Sequence, residues 1–298
     1  MTKTSAGSRT QGSIERLGNC IGDVDRREGL TAKELREEYL VPRRPVVLKG
    51  LMDDWPGRTK WTFDFFKEEY GWMESPVCRG FEREGTMPLG EYIDYMREWR
   101  KDNDDELPAE LPLYADDLFV DTSTPLAKDY GIPDCFEELD WFERFFLKNP
   151  MRRGYLLIGP KGSMTKLHID GQYVHAYVAQ FVGKKRWLIV PFDQLKDLFD
   201  GYADYIGGWS GYEPPGIEEF IARSGVDYYS TVQEPGEIII APSSQFHQVI
   251  NTEDSIALTN KFVDRSNARK VLWSMFMTRT GLRKSRRLGY LDGADRSD

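Results

Sequence analysis

The chain has 298 residues, of which 40% are hydrophobic and 13% aromatic, enough for one large globular domain. Its net charge of −9 at pH 7 argues against general affinity for nucleic acid or anionic membranes. Three cysteines without a Cys-x-x-Cys pair, no long apolar run and a polar N-terminus predict free thiols, no membrane span, no signal peptide and a cytoplasmic location.

The first part of the chain reads as mainly helical. Residues 1–13 are polar, and we expect them to be disordered. Helices are predicted over residues 30–39, 62–70 and 88–100, the first two beside threonine caps. The apolar run within residues 44–50 predicts a first core strand.

From residue 154 onward, the pattern changes to short strands. Strands are predicted over residues 154–159, 173–182, 186–190, 237–241 and 255–263. The second and third flank Gly183-Lys184, which indicates a hairpin. Short strands separated by glycine and proline, with helices before them, are typical of a mainly β protein with flanking helices, built as a double-sheet jelly roll.

Residues 200–233 form a long connection rich in glycine and tyrosine between two core strands. Loops of this length are usually functional or disordered, and we predict an ordered cover over the barrel mouth. A rigid packed insert is the alternative. The chain closes with a helix at residues 267–278, predicted to carry one apolar face, and a basic tail. The residues of that face are Val271, Leu272, Met275 and Phe276.

Two of the three histidines lie in a pattern typical of a redox metal site. His168 and Asp170 are two residues apart, so on a strand both project from the same face. His247 follows a turn and a buried strand. Two imidazoles and one carboxylate form the facial triad of non-haem iron(II) oxygenases, which leaves coordination positions open. A surface His-x-Asp pair is the alternative, and His175 is predicted to be a packed or surface histidine.

An ordered set of segments resembles one known family. The segments are residues 44–50, 54–56, 60–62, 112–114, 165–170, 183–187 and 235–237, with His247 and Asn260. The chain resembles the JmjC or cupin-like iron(II)/2-oxoglutarate-dependent oxygenases, in the small hydroxylase branch. That branch includes the asparaginyl hydroxylase of the hypoxia pathway and the JmjC lysyl hydroxylases. The resemblance implies a double-stranded β-helix core within one catalytic domain, over residues 14–264, with residues 265–298 as a C-terminal extension.

The resemblance also implies roles for single residues. The iron ligands are matched by His168, Asp170 and His247. Lys185 matches the basic residue that pairs with the far carboxylate of 2-oxoglutarate, although a neighbouring Lys184 makes an ordinary exposed lysine the rival interpretation. Thr165 and Tyr114 match hydroxyls that bond the same carboxylate, with a turn cap and an ordinary core position as their alternatives.

Two further positions concern the other side of the cosubstrate. Asn260 matches an amide near the cosubstrate or oxygen site. Relatives often carry an asparagine in the strand before the lysine, where this chain has Ala176, Tyr177 and Val178. Tyr177 or His175 is predicted to fill that space.

These roles imply an iron(II)-dependent dioxygenase that uses 2-oxoglutarate and O2 to hydroxylate an unactivated C–H. The substrate is expected to be a protein side chain, a peptide, a free amino acid or a natural-product intermediate, with no nucleic acid or membrane partner and a homodimer left open. The alternatives are an N-methyl demethylase, a metal-dependent cupin without 2-oxoglutarate, and a non-catalytic binding module.

Overall fold

The computed structural model describes residues 20–80, 82–105, 108, 110–120, 123–137, 154–195 and 226–279. Within these residues the strands form two β-sheets, one of five strands and one of nine. The mainly β architecture with flanking helices predicted from the sequence is confirmed. Residues 1–13 and the basic tail beyond Arg279 lie outside the described residues.

The small sheet contains five strands: β1 (Cys20–Gly22), β8 (Met164–His168), β10 (Lys185–Val190), β11 (Tyr228–Gln233) and β13 (Phe246–Asn251). Their order is β1, β11, β10, β13, β8. β1 runs parallel to β11, and every other neighbouring pair is antiparallel. β10 and β13 therefore lie side by side in the middle of the sheet.

The large sheet contains nine strands: β2 (Asp25–Glu28), β3 (Val46–Lys49), β4 (Glu74–Arg79), β5 (Glu82–Pro88), β6 (Tyr114–Val120), β7 (Gly154–Gly159), β9 (His175–Val182), β12 (Ile238–Ala241) and β14 (Ser255–Phe262). Their order is β2, β3, β12, β9, β14, β7, β6, β4, β5. The neighbouring strands β12 and β9 are almost wholly buried, and their sequences are apolar apart from His175 and Gln180.

In the part of the chain that the structure describes, seven α-helices flank the sheets: α1 (Ala32–Leu35), α2 (Gly57–Lys60), α3 (Phe63–Tyr70), α4 (Leu89–Asp102), α5 (Asp134–Glu137), α6 (Phe192–Leu195) and α7 (Ala268–Arg279). A π-helical turn (Arg36–Leu40) continues α1, and 3-10 turns occupy Pro125–Lys128 and Gly171–Tyr173. The predicted threonine caps are present: Thr31 forms a capping box with Glu34, and Thr62 accepts from the backbone N–H of Phe65. No described helix is long and apolar enough to cross a membrane.

Two apolar cores lie on opposite faces of the large sheet. On its inner face, Val178 and Ile239 meet Trp187 and Ile189 of the small sheet. On its outer face, side chains from β9, β14 and β7 pack against the helices, with the rings of Trp61 and Phe181 4.2 Å apart. Because strand residues alternate between faces, these two cores show which side chains point between the sheets.

Two predicted segments differ from the structure. Tyr228–Gln233, predicted as part of the long connection, is strand β11 and pairs with β10. Residues 196–225, which hold the other aromatic residues of the predicted cover, lie outside the described residues. The four residues predicted to share one apolar face of the last helix do not share one environment. α7 packs through Ala268 and Val271, whereas Leu272, Met275 and Phe276 are exposed.

Candidate active site

The two histidines of the predicted triad face each other across neighbouring strands. His168 ends β8 and is the direct cross-strand partner of His247 in β13, with ring centroids 4.1 Å apart. Asp170 follows two residues after His168, and its Oδ2 lies 3.8 Å from Nε2 of His247. The ligand atoms of the three residues all lie within 4.8 Å of one another, so one ion can contact all three.

Backbone carbonyls orient both imidazoles. Nδ1 of His168 lies 2.8 Å from the carbonyl oxygen of Lys166, and Nδ1 of His247 lies 3.2 Å from that of Gln245. A carbonyl only accepts, so the proton sits on Nδ1 and the Nε2 lone pair is the one available to a metal. The Trp187 ring stacks on His247 at 5.7 Å and restricts its rotation.

The charge states suit metal binding. Burial, together with the neighbouring His247, lowers the pKa of His168 to about 3, so this imidazole is neutral at physiological pH. Burial alone would raise the pKa of Asp170, but Lys261 and the two imidazoles outweigh it and hold that pKa below its ordinary value. A neutral imidazole and an ionised carboxylate are the forms that ligate metals.

A second polar cluster lies deeper between the sheets. Lys185, in β10, is 1% exposed. Its Nζ donates to the Tyr114 hydroxyl at 3.0 Å and to Oδ1 of Asn251 at 2.6 Å. Asn251 in turn donates from Nδ2 to the Ser163 hydroxyl at 2.7 Å. Burial lowers the pKa of Lys185 to about 7, although Asp116 acts in the opposite direction.

Within the described part of the chain, the Lys185 ammonium forms no salt bridge, and its hydrogen bonds go to a phenol and an amide. A buried ammonium without a counter-charge is costly. The wall beside it is tight, because a Cβ at Gly159 would overlap Ser163, Tyr114 and Asn251. The cluster is therefore shielded from solvent, and its buried cation is not balanced by a salt bridge from the described residues.

Strand register fixes how the two clusters lie relative to each other. Lys185 pairs with Asn251, and Ile189 pairs with His247, on the same two strands. Four residues of strand separate the pairs, which is about 13 Å between Cα atoms. The triad lies at one end of the inner face and the buried lysine at the other.

Thr165 lies between the two clusters because β8 contains a bulge. Thr165 pairs with Val249 and His168 pairs with His247, so three steps in β8 match two in β13. Without the extra residue, alternation would place Thr165 and His168 on opposite faces. The bulge brings both to the face that carries the triad, although the hydroxyl's contact with a ligand stays a prediction.

Comparison with known protein families gives a match over most of the chain. The cupin-like domain family matches residues 32–268. The chain belongs to this family. The double-sheet barrel predicted from the sequence is thus the jelly-roll core of a cupin-like domain.

Curated relatives align with most of this cupin-like chain. The lysine-specific demethylase JMJ21 of Arabidopsis thaliana is 29% identical over 257 residues, covering 83% of this chain and 26% of that protein. The 2-oxoglutarate and iron-dependent oxygenase JMJD4 of Gallus gallus is 28% identical over 279 residues, covering 84% and 62%. The bifunctional arginine demethylase and lysyl-hydroxylase psr-1 of Caenorhabditis elegans is 30% identical over 254 residues, covering 80% and 60%. The chain thus spans less than two thirds of the length of each of these relatives.

Three sequence-predicted candidates do not join the site of the cupin-like domain. Tyr177 stacks on Phe136 at 5.0 Å in the core on the outer face of the large sheet. Asn260 is its cross-strand partner, so alternation turns it to the same outer face. The structure therefore does not support a cosubstrate contact for either residue. His175 is buried against Asp264, with Nε2 3.2 Å from Oδ1, as expected of a packed histidine.

Sequence reasoning missed Asn251 and did not place Lys261 beside the predicted metal ligand Asp170. Asn251 accepts the hydrogen bond from Lys185, and Lys261 places its Nζ 3.6 Å from Oδ1 of Asp170. Asn251 lies four residues after His247, an even spacing that puts both on one strand face, and this signal could have identified it. Lys261 directly follows Asn260 and therefore points to the opposite, inner face.

Proposed function

We propose that this chain is an iron(II)- and 2-oxoglutarate-dependent oxygenase that hydroxylates an unactivated C–H. The observation that carries the proposal is the shared inner face, with His168, Asp170 and His247 at one end and the buried Lys185 at the other. A metal triad alone is common to several chemistries. A metal triad on the same face as a buried lysine favours a ligand that chelates the metal with one end and presents an anionic group to the lysine with the other.

The triad fits iron(II). Mixed imidazole and carboxylate ligation on one side of an ion is the facial arrangement of non-haem iron oxygenases. His168, Asp170 and His247 would hold the metal, with Nε2 as the donor atom of each ring. Bound iron would supply the oxidation of the substrate C–H by O2, coupled to the oxidative decarboxylation of 2-oxoglutarate to succinate and CO2.

The deep cluster fits the far carboxylate of 2-oxoglutarate. Lys185 supplies the charge, and the Tyr114 hydroxyl, 3.0 Å from its Nζ, adds a neutral group at the same place. Thr165 would lie between this carboxylate and the metal, since its partner Val249 is midway between His247 and Asn251 on β13. Trp187 and Ile189 separate the two ends with apolar surface and exclude water from the space between the sheets.

The relatives' names support a protein or peptide side chain as the substrate. JMJD4 is named as an oxygenase and psr-1 as a lysyl-hydroxylase and an arginine demethylase, while JMJ21 is named as a lysine demethylase. N-methyl demethylation is therefore the second candidate, because it begins with hydroxylation of the methyl group. Formaldehyde release separates it from hydroxylation of a stable side-chain carbon.

The test is iron-dependent conversion of 2-oxoglutarate to succinate, followed by a screen of peptides, amino acids and cell extract for a mass gain of one oxygen atom. Asp170→Ala should abolish turnover while the circular dichroism spectrum stays unchanged. Lys184→Ala is the matched control, since Lys184 is a surface residue that pairs with Glu234 and Glu253. A wild-type protein that binds no divalent metal, or an Asp170→Ala variant with full activity, would overturn the proposal. Metal binding without any affinity for 2-oxoglutarate would instead indicate a cupin of another type.

A further inference from the structure

Lys261 contacts the oxygen of Asp170 that faces away from the second histidine. Its Nζ lies 3.6 Å from Oδ1, while Oδ2 of the same carboxylate lies 3.8 Å from Nε2 of His247. The two oxygens of Asp170 therefore have different neighbours, a cation on one side and a ligand imidazole on the other.

The position of Lys261 follows from the register of β14. Leu258 and Phe262 belong to the core on the outer face, and Ala257 belongs to the core between the sheets. Lys261 has the same parity as Ala257, so it shares the inner face, where Ala176 of β9 is its cross-strand partner. Its side chain is 40% exposed, which places the ammonium at the open edge of the site.

A carboxylate can bind a metal through one oxygen or through two. Binding through both would occupy one of the three coordination positions that a facial triad leaves open. A keto acid that chelates through two atoms needs two of those positions, and O2 needs the third. A cation held against Oδ1 opposes bidentate binding, because the metal would have to displace that charge-assisted contact.

We propose that Lys261 is a positioning residue that restricts Asp170 to metal binding through Oδ2 alone. The inference rests on the proposed function and deepens it. It names a residue outside the triad that keeps the third coordination position of the metal open. Lys261 acts on the metal through Asp170.

The experiment compares Lys261→Met and Lys261→Gln with Lys261→Arg, and uses Lys184→Met as the control for loss of a surface lysine. Each protein is loaded with Co(II), whose visible absorption reports the coordination number, and is then titrated with 2-oxoglutarate. The Lys261→Gln variant retains a polar side-chain group, so it provides an independent measurement if the Lys261→Met variant folds poorly.

The positioning role predicts opposite changes in two affinities. Without Lys261, the cobalt spectrum of the metal-only protein should shift toward a higher coordination number, and Co(II) should bind at least as tightly because a nearby cation is gone. The affinity for 2-oxoglutarate should fall about tenfold or more, because the keto acid would first have to displace the second oxygen of Asp170 from the metal. Lys261→Arg should restore both properties, and Lys184→Met should change neither.

Two results would overturn the inference. An unchanged metal-only spectrum with weaker 2-oxoglutarate binding would make Lys261 a direct anchor for the keto acid. Unchanged spectrum and affinity in both neutral variants would leave Lys261 without a role at the metal. Failure of the proposed function is separate from these results, because it would show as a wild-type protein that binds no metal or no 2-oxoglutarate.

Discussion

The proposed function requires a charged Lys185, but burying that charge costs free energy. An ammonium buried between two sheets is energetically costly, and its hydrogen-bond partners in the described part of the chain, the Tyr114 hydroxyl and the Asn251 amide, are both neutral. The pKa of about 7 expresses that cost, because burial disfavours the charged form. A bound carboxylate would restore the balance, so the charge of Lys185 and the binding of an anion are coupled.

This coupling predicts how 2-oxoglutarate affinity depends on pH. In the ligand-free protein Lys185 loses its proton as the pH rises through about 7, whereas the bound dianion requires the ammonium. The affinity for 2-oxoglutarate should therefore be level below pH 7 and fall by about tenfold for each pH unit above it. Above pH 7, binding should take up about one proton for each 2-oxoglutarate bound. Calorimetry between pH 6 and 9, in buffers of different ionisation enthalpy, measures both quantities.

The control for that prediction is Lys185→Met. Losing the charge in a shielded pocket should weaken binding by about 2 to 5 kcal/mol and remove the pH dependence. An affinity for 2-oxoglutarate in the wild-type protein that stays level up to pH 9 would show that Lys185 keeps its proton without help from the ligand.

A substitution at Asn251 tests the same balance from the other side. Asn251→Asp would place a carboxylate at the position that now lies 2.6 Å from the lysine nitrogen. That carboxylate should raise the pKa of Lys185 and form an ion pair with it, in competition with 2-oxoglutarate. The affinity for 2-oxoglutarate should therefore fall about tenfold or more, and its dependence on pH should weaken. Binding titrations with Asn251→Ala alongside separate the added charge from the lost amide. Wild-type affinity in the aspartate variant would place the cosubstrate carboxylate elsewhere.

At the scale of elements, much of the fold was readable from the sequence. The strand predicted at residues 154–159 is β7 without any shift, and the helix predicted at residues 62–70 is α3 (Phe63–Tyr70), capped by Thr62. Apolar runs and capping residues are local signals, so local reasoning finds them. β5 was missed because it is mostly polar and partly exposed. Pairing with β4, rather than its own sequence, determines that this segment is a strand.

The errors in the candidate site have one physical origin. Asn260 and Tyr177 lie in strands that were predicted, but alternation turns both away from the metal. The face that a strand presents depends on pairing register, and a shift of one residue reverses it. The bulge in β8 shows the same effect, because it alone gives Thr165 and His168 a common face. The His-x-Asp pair was predictable because two residues so close in sequence stay close in space, even though Asp170 lies just beyond the end of β8 at His168.

Gly159 is the position in β7 where the deep cluster leaves no room for a side chain. Gly159→Ala should push on Ser163, Tyr114 and Asn251, destabilise the fold by about 1 to 3 kcal/mol and weaken 2-oxoglutarate binding, while metal affinity at the far end is retained. Denaturant unfolding and titrations with Co(II) and 2-oxoglutarate measure these effects.

The matched control lies in the same strand. A Cβ at Gly154 would meet Leu258, which belongs to the core on the outer face. Gly154→Ala should therefore lower stability to a similar extent without changing the affinity of the folded protein for 2-oxoglutarate. Equal losses of affinity in both variants would show that the effect is general destabilisation.

At the scale of the whole molecule, the site joins the two sheets. Lys185, His168 and His247 come from the small sheet, Tyr114 and Lys261 from the large one. A ligand that contacts both ends is expected to hold the sheets together and to bind only the folded state. Its binding energy then adds to the free energy of unfolding.

Metal and cosubstrate should accordingly stabilise the protein in a dependent order. Mn(II) alone should raise the melting temperature, 2-oxoglutarate alone should raise it little, and the two together should add about 2.7 kcal/mol at a ligand concentration of about 100 Kd. Thermal unfolding with and without EDTA measures this. Asp170→Ala should lose the joint effect, and a variant that kept it would place the metal outside the triad.

The two ends of the site are fixed by the same pair of hydrogen-bonded strands, and this has a consequence for selectivity. β10 and β13 carry Lys185 and Asn251 at one end and His247 at the other, with a set number of residues between. A hydrogen-bonded strand pair cannot stretch, so the number of residues between the two ends of the site fixes the distance between them. Under the proposed function, this fixed backbone spacing would set the length of the keto acid that can reach both ends of the site. Oxaloacetate, one carbon shorter, and 2-oxoadipate, one carbon longer, would each leave one end unmatched, however well their carboxylates pair.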